Sequence, residues 1–323
     1  MSLLLISGAN KIAQGLIRNL YNSGKYEQIV CADIFPTYYY LQRYLTFKDS
    51  LDQNSKTVLK EVKLIDKIDL ESSIRQASHV IYFTHDYYLN VLCKHNLFKN
   101  TATLCKAAGV KKLLSVNPIE NEHYGEQDPI HTANQTENEV KNINPNVIEL
   151  KVDLTFGKHS NVVNQILTKI VNKQSLHFQP SNHSVQPIHT DNVYQAIQNL
   201  LESDNLKGNK FVARGSENLD WKTIVDQLSL AIGSQAQLNQ NSLENVVSPA
   251  SANYLSEFLY QPEYQNLVRF ISQYVEPRAT NHHEISDLGI NNLTKFSEFY
   301  KPGSVQSRDY QQLSALAQYA LHF

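Results

Sequence analysis

The chain has 323 residues, 41% hydrophobic and 19% charged, enough apolar content for packed cores and enough length for roughly two domains. Its 29 Lys and Arg against 31 Asp and Glu leave a formal charge of −2, so no excess positive field collects phosphate polyanions and nucleic-acid binding has no electrostatic support. The longest apolar runs, Leu3-Leu4-Leu5-Ile6 and Val80-Ile81-Tyr82-Phe83, fall far short of the roughly 20 residues that cross a bilayer, so no transmembrane segment is expected.

Leu3 to Ser7 reads as a short strand ending in Gly8, and Ile12, Ile17 and Leu20 recur at helical spacing until Gly24. Ile29-Val30-Cys31-Ala32 ends in Asp33, and Val62-Lys63-Leu64 ends in Ile65-Asp66. Each is a strand with an acidic residue at its carboxyl end, where ligands sit in open parallel sheets. A weak helix over Leu70 to Ala77, the strand Val80 to Phe83, and a helix through Leu97, Leu104, Cys105 and Ala108 up to Gly109 follow. Lys111 to Val116 is a fifth strand. After a polar turn at Gly125 to Pro129, a helix through Val140 leads to the strand Val147-Ile148-Glu149-Leu150. Repeated β-α units of this kind predict an α/β fold: a Rossmann-like, doubly wound parallel sheet covered on both faces.

Beyond Gly157 the alternation loosens. Val193, Ala196, Ile197, Leu200 and Leu201 form an apolar helical stripe after Thr190-Asp191, a pair suited to capping it. Phe211-Val212-Ala213 reads as a returning strand, and Ile224, Leu228, Ala231 and Ile232 as a second stripe before Gly233. The Asn-, Gln- and Ser-rich stretch 234–251 reads as a loop or insertion, and Tyr254 to Val275 and Tyr310 to Leu321 read as helical. Residues 1–157 are thus the Rossmann-like domain, with 186–215 returning to its sheet. Residues 158–185 and 216–323 make a smaller, mainly helical C-terminal region.

Cys31, Cys93 and Cys105 are odd in number and widely spaced, which suits buried free thiols in a reducing compartment better than a disulfide framework. Met1 stands directly before a core strand, so an organelle address is expected to be cleaved, internal or absent. His282-His283-Glu284 and Cys93-Lys94-His95 carry metal-ligand types, but neither joins a second pair at structural-zinc spacing, so no metal site is expected. Tyr38-Tyr39-Tyr40 and Tyr87-Tyr88, close to strand ends, are packing residues or mark a contact surface.

The turn after the first strand departs from the glycine-rich pattern that lets a backbone approach a pyrophosphate. Against the spacing G-x-x-G-x-x-G, Gly8 is present, while Lys11 and Gln14 stand at the second and third places. In one reading Asn10, Lys11 and Ile12 still face a pyrophosphate, with Lys11 supplying charge and Gly15 shifting the close contact by one residue. In the other the side chains fill the nucleotide's space. Gln14 removes the close approach of the third glycine, so weakened or absent binding is expected. Asp33 either accepts from a ribose diol or is a solvated turn residue, and Asp66 ends the next strand in the same way.

Leu5-Ile6-Ser7-Gly8-Ala9, Ala107-Ala108-Gly109-Val110 with the strand after it, and Gln186-Pro187-Ile188-His189-Thr190-Asp191-Asn192-Val193 resemble the atypical, extended branch of the short-chain dehydrogenase/reductase superfamily. Within it the chain is most similar to the dehydrogenase-like accessory subunits of mitochondrial respiratory complex I. That narrower resemblance rests on Phe156-Gly157-Lys158 with Asn161 and Asn164, on Gly208-Asn209-Lys210-Phe211-Val212, and on Ser286-Asp287-Leu288-Gly289-Ile290.

The superfamily's chemistry uses a Tyr acid-base, a Lys four residues later that lowers its pKa, and a Ser or Thr after the fifth strand. By this resemblance the three places match His131, Gln135 and Asn117. Tyr124 is no substitute, because Asp128 stands where its lysine would be. The resemblance therefore implies a noncatalytic, NAD(P)-binding-fold accessory subunit that needs no cofactor for catalysis and holds any NAD(P)(H) structurally. It also implies attachment to the matrix face of the mitochondrial inner membrane, contacts with other respiratory subunits, and lipid headgroups as a further partner. The rivals are an active NAD(P)-dependent epimerase or reductase with relocated catalytic groups, and a dinucleotide-binding redox sensor.

Overall fold

The computed structural model describes residues 2–6, 11–33, 56–63, 67–83, 91–118, 136, 138–158, 160, 162–173, 175–177, 184–239 and 282–307. Strands β1 (Ser2–Ile6), β2 (Gln28–Asp33), β3 (Val58–Lys63), β4 (His79–Phe83), β5 (Lys112–Pro118) and β6 (Ile148–Val152) alternate with helices α1 (Lys11–Ser23), α2 (Lys67–Gln76), α3 (Val91–Ala108) and α4 (138–143). β7 (Thr155–Phe156), α5 (Val162–Val171), β8 (Ser175–His177), β9 (Ser184–Val185) and β10 (Ile188–His189) follow, then α6 (Thr190–Glu202) and β11 (Lys210–Ala213). The chain continues through β12 (Leu219–Asp220), α7 (Trp221–Ile232), β13 (Gln237–Asn239), β14 (His283–Glu284), a 3-10 turn at Ile285–Leu288 and α8 (Phe296–Phe299).

Eight strands form one sheet in the order β14-β11-β6-β5-β4-β1-β2-β3, and every pairing in it is parallel. This is the Rossmann-like, doubly wound fold expected from the sequence, with the reversal of strand order falling between β1 and β4. Because side chains alternate across a strand, the sheet carries two cores. Leu3, Leu5, Ile29, Ile81, Leu114, Leu150 and Phe211 pack on one face under α1 and α6. Leu4, Ile6, Val30, Val80, Tyr82 and Leu113 pack on the other under α2, α3 and α4, where Tyr82 stacks on Phe98 with centroids 4.4 Å apart. A third core joins α5, α7 and α8 through Phe156, Ile166, Ile224, Leu228 and Phe296.

Several boundaries differ from the sequence reading for physical reasons. β3 begins at Val58, ahead of the run Val62-Lys63-Leu64, because it is the outermost strand and an edge carries charges such as Lys60 and Glu61 without a continuous apolar run. Helix α6 is capped not by Thr190-Asp191 but by His189, whose Nδ1 accepts from the Asp191 N–H at 3.3 Å. Within 234–251, Gln237–Asn239 is a strand paired with β8. β14 adds a strand to the main sheet from a stretch without strand patterning. The helices read at 254–275 and 310–321, and Tyr38 to Tyr40 and Tyr87-Tyr88, lie outside the described residues. No described helix is long and apolar enough to cross a membrane. Of the described cysteines, Cys105 is a buried free thiol and Cys31 is half-buried; burial pushes the Cys105 thiol up to about 12.

Two features lock the second half onto the first. Lys112 Nζ donates to the carbonyls of Leu200, Leu201 and Ser203 at 2.9, 2.8 and 2.5 Å, so a cation from β5 satisfies the open carbonyls at the end of α6. Asn199 Nδ2 donates to Leu288 O at 2.9 Å, and Gly289 ends the 3-10 turn with φ 79°, a left-handed conformation that glycine adopts without strain. The motif Ser286-Asp287-Leu288-Gly289-Ile290 therefore docks the C-terminal segment on α6, burying Ile285 and Ile290.

Candidate functional site

Ligands of doubly wound sheets bind at the carboxyl ends of the strands around the switch point. Here that point is flanked by β1 and β4, with the N-terminus of α1 above β1, Asp33 closing β2, and Asn117 near the end of β5. Of the residues singled out for a dinucleotide, Gly8, Asn10 and Asp66 lie outside the described residues. Lys11 opens α1, and the Ile12 side chain is buried in the core, so Ile12 offers an anion only its backbone N–H. The sheet-facing side of this helix is Ile12, Ala13, Leu16, Ile17 and Leu20, and Gly15 is buried too, whereas Gln14 is only half-buried. Small residues thus still sit where α1 meets the sheet. Asp33 stands beside Lys63 in the β2–β3 register. These elements stand where ligands of doubly wound sheets bind.

His131 and Gln135 lie outside the described residues. Asn117 is only 2% exposed, and its Oδ1 accepts from the Ser115 hydroxyl at 2.8 Å. Ser115, two residues earlier on the same face, is equally buried. Its hydroxyl is therefore spent on the amide and does not stand at the strand end in place of the missing Ser or Thr.

The same face holds a group of charges that the sequence reading did not select. Asn117 pairs in register with Lys151, Lys151 with Val212, and Val212 with Glu284, making one row across β5, β6, β11 and β14. Behind it, Ser115 pairs with Glu149. Glu149 is buried, yet its carboxylate meets Lys141 Nζ from α4 at 2.5 Å, Lys151 Nζ at 3.5 Å and His282 Nε2 at 4.0 Å. Beyond the row, Asp153 accepts from the backbone N–H of Leu154 at 2.6 Å and of Gln186 at 3.1 Å, fixing the turn into β7. Arg214, the residue after β11, reaches toward Glu284 with Nη1 3.8 Å from Oε1. The available signal was the alternation Ile148-Glu149-Leu150-Lys151-Val152: in a central parallel strand, buried on both faces, such residues are expected to be apolar.

The motif Phe156-Gly157-Lys158 with Asn164 shapes the turn beside this edge. Asn164 Nδ2 donates to the carbonyls of Gly157, Lys158 and Ser160 at 3.3, 3.1 and 2.6 Å. Gly157 has φ 106°, and a Cβ there would stand 2.7 Å from His189 Nε2, so glycine is required twice over. His189 in turn packs edge-on against Phe156 with centroids 5.2 Å apart. Burial lowers its pKa below the usual histidine value, and the Asp191 charge partly opposes this. A Cβ on Gly215 would fall 1.7 Å from Pro187 O, the price of bringing the 186–189 segment against the end of β11. Asn161 lies outside the described residues. Among the described residues no group of three His, Cys, Asp or Glu side chains converges as for a metal ion.

No family model matches the sequence, and no curated protein matches it. Solved structures match by shape. UDP-glucuronic acid 4-epimerase from Bacillus cereus, in complex with NAD, superposes with a TM-score of 0.67 at 12% identity, over 97% of this chain and 99% of that one. Triphenylmethane reductase from Citrobacter sp., complexed with NADP(H), gives 0.64 at 14% identity, over 94% of this chain and 100% of that one. A nucleoside-diphosphate-sugar epimerase from Pseudomonas aeruginosa gives 0.62 at 14% identity, over 98% and 99%. At such identities the likeness establishes the fold alone: the chain shares the Rossmann-like architecture of these solved structures.

Proposed function

We propose that this chain is a noncatalytic protein built on the extended short-chain dehydrogenase/reductase fold, acting as an accessory subunit that stabilises mitochondrial respiratory complex I from the matrix side. The observation that carries the noncatalytic part is Asn117. A carboxamide at the end of β5 can orient a carbonyl but does not exchange its proton as a hydroxyl does, and its oxygen is already held by Ser115. His131 and Gln135, matched by resemblance to the tyrosine and lysine places, remove the rest of the proton relay. The assembly role, with other respiratory subunits and lipid headgroups as partners, rests on the sequence resemblance alone. A bound NAD(P)(H) would be structural. The N–H groups opening α1 suit its pyrophosphate, Asp33 suits a ribose diol, and the nicotinamide would bring hydride chemistry that these residues do not complete.

The test has two arms. Purified chain is titrated calorimetrically with NADH and NADPH and assayed for their oxidation with carbonyl substrates; no turnover is expected, and turnover overturns the noncatalytic reading. Tagged chain is then recovered from organelle membranes by native separation. Stoichiometric respiratory subunits are expected, whereas a free cytosolic species overturns the assembly role.

A second reading is an active NAD(P)-dependent epimerase or reductase with relocated groups. It is favoured by the fold neighbours, which are named as such enzymes, and by Lys151, which brings a cation beside Asn117 in register. Turnover abolished by Lys151→Met would select it.

A further inference from the structure

Arg214 is, among the described residues, a charged side chain that the fold leaves incompletely matched. Its side chain is only 20% exposed, yet its Nε–H is buried without an acceptor among the described residues. The nearest carboxylate oxygen, Glu284 Oε1, lies 3.8 Å from Nη1, beyond hydrogen-bond length. Asp153, at the facing end of β6, gives both carboxylate oxygens to backbone N–H groups. A guanidinium presents five N–H donors in a planar fork that matches carboxylate and phosphate oxygens. A buried donor of this kind left unmatched is unfavourable unless something else supplies the oxygen.

We propose that Arg214, with Lys151, forms a binding site for a small oxyanion, a phosphate or carboxylate group, at the carboxyl edge of β6 and β11. Lys151 and Glu284 flank Val212 in register, and Arg214 stands two residues beyond Val212 on the same face, since it reaches Glu284. Strand spacing and rise put the Lys151 and Arg214 backbones about 8 Å apart, a gap that two long cationic side chains close around one anion. Glu149 meets Lys141 at 2.5 Å and Lys151 at 3.5 Å, so Lys151 is a cation already present at this edge. The half-exposed Glu284 is the competing internal anion. Lys141, Lys151 and Arg214 face Glu149, Asp153 and Glu284 here, so recognition comes from the unmatched Nε–H rather than from excess positive charge. The site lies on the β6–β11 side of β5, apart from the dinucleotide position over β1 and β2, and does not depend on a nucleotide being held there.

Thermal unfolding of the full chain in sodium phosphate and in sodium malonate, each matched in ionic strength with sodium chloride, tests this. A saturable rise in Tm is expected with at least one of them: with phosphate alone if the natural ligand is a phosphate, with malonate alone if it is a carboxylate. Arg214→Met should weaken the response about tenfold or more, Lys222→Met on the exposed face of α7 should leave it unchanged, and Glu284→Gln should strengthen it severalfold. If Arg214→Met fails to fold, arginine Nε–H resonances of the unmodified chain decide the matter: one peak moving saturably with the anion supports the site. No stabilisation beyond chloride, an undiminished response in Arg214→Met, or no moving resonance overturns it. Calorimetric failure to bind NADH or NADPH bears only on the dinucleotide reading.

Discussion

The two halves of the sheet obey different rules. In β1 and β4 both faces are apolar: Leu3, Leu4, Leu5, Ile6, Val80, Ile81, Tyr82 and Phe83 are all essentially without exposure, as a parallel sheet covered by helices on both sides requires. In β5 and β6 one face is equally apolar through Leu114, Val116, Ile148, Leu150 and Val152. The other carries Ser115, Asn117, Glu149, Lys151 and Asp153, held by partners that include Lys141 of α4. The first half is what the fold needs in order to exist. The second spends stability on polar groups that a fold alone does not call for, and local rules fail in this way where a ligand or partner is served.

The largest expected effect separates the halves. Glu149→Ala leaves the half-buried Lys141 and Lys151 without their shared carboxylate and should cost about 3 kcal/mol in urea unfolding. A loss below about 1 kcal/mol would make this face an ordinary solvated surface and erase the contrast. Leu4→Ala, in the apolar half, creates a cavity without any electrostatic consequence and should cost about 3 kcal/mol. Raising salt should change the Glu149→Ala loss and leave the Leu4→Ala loss alone. Equal salt responses would mean that Glu149 acts through packing.

The same contrast decides what could be read in the sequence. Apolar runs mark β1, β2 and β4 because nothing on either face interrupts them, and Gly24, Gly109 and Gly233, all with positive φ, mark the helix ends. β6 was readable only in part, since Glu149 and Lys151 find their partners across strands and from α4. β14 was not readable at all: two residues, His283 and Glu284, become a strand only because β11 lies beside them. At the site, Asn117 was legible through the family pattern that it breaks. Arg214 was not, because burial of a single Nε–H is a property of the assembled edge and leaves no trace in spacing.

The joint between the halves offers a smaller effect. Lys112 opens β5 and fills the carbonyl end of α6. Lys112→Met keeps the aliphatic stem but removes the cation, so about 1 kcal/mol should be lost. Amide exchange should rise in the last turn of α6 and not in β1. Faster exchange throughout the sheet would show that the lysine supports the whole core rather than this joint.

The smallest effect is a pH dependence with one histidine in the apolar half and one beside the polar edge, in the separate β7–β10 pair. Burial lowers the pKa of His79, at the start of β4; the Lys112 and Lys111 charges lower it further, and Asp204 opposes them. Burial also lowers His189, against Asp191. Unfolded histidine titrates near about 6.5. Between each lowered folded value and about 6.5 the unfolded chain binds a proton that the folded chain refuses, so stability is complete above that window and falls as pH drops through it. The slope is at most about 1.4 kcal/mol per pH unit for each group. His79→Gln should flatten the decline through its share alone. His189→Asn, which keeps a side chain able to cap α6, should flatten it through the other and change exchange in α6 and the Gly157 turn. If His79→Gln removes nearly all of the slope, acid acts first on the apolar half, and the polar edge is the more resistant of the two.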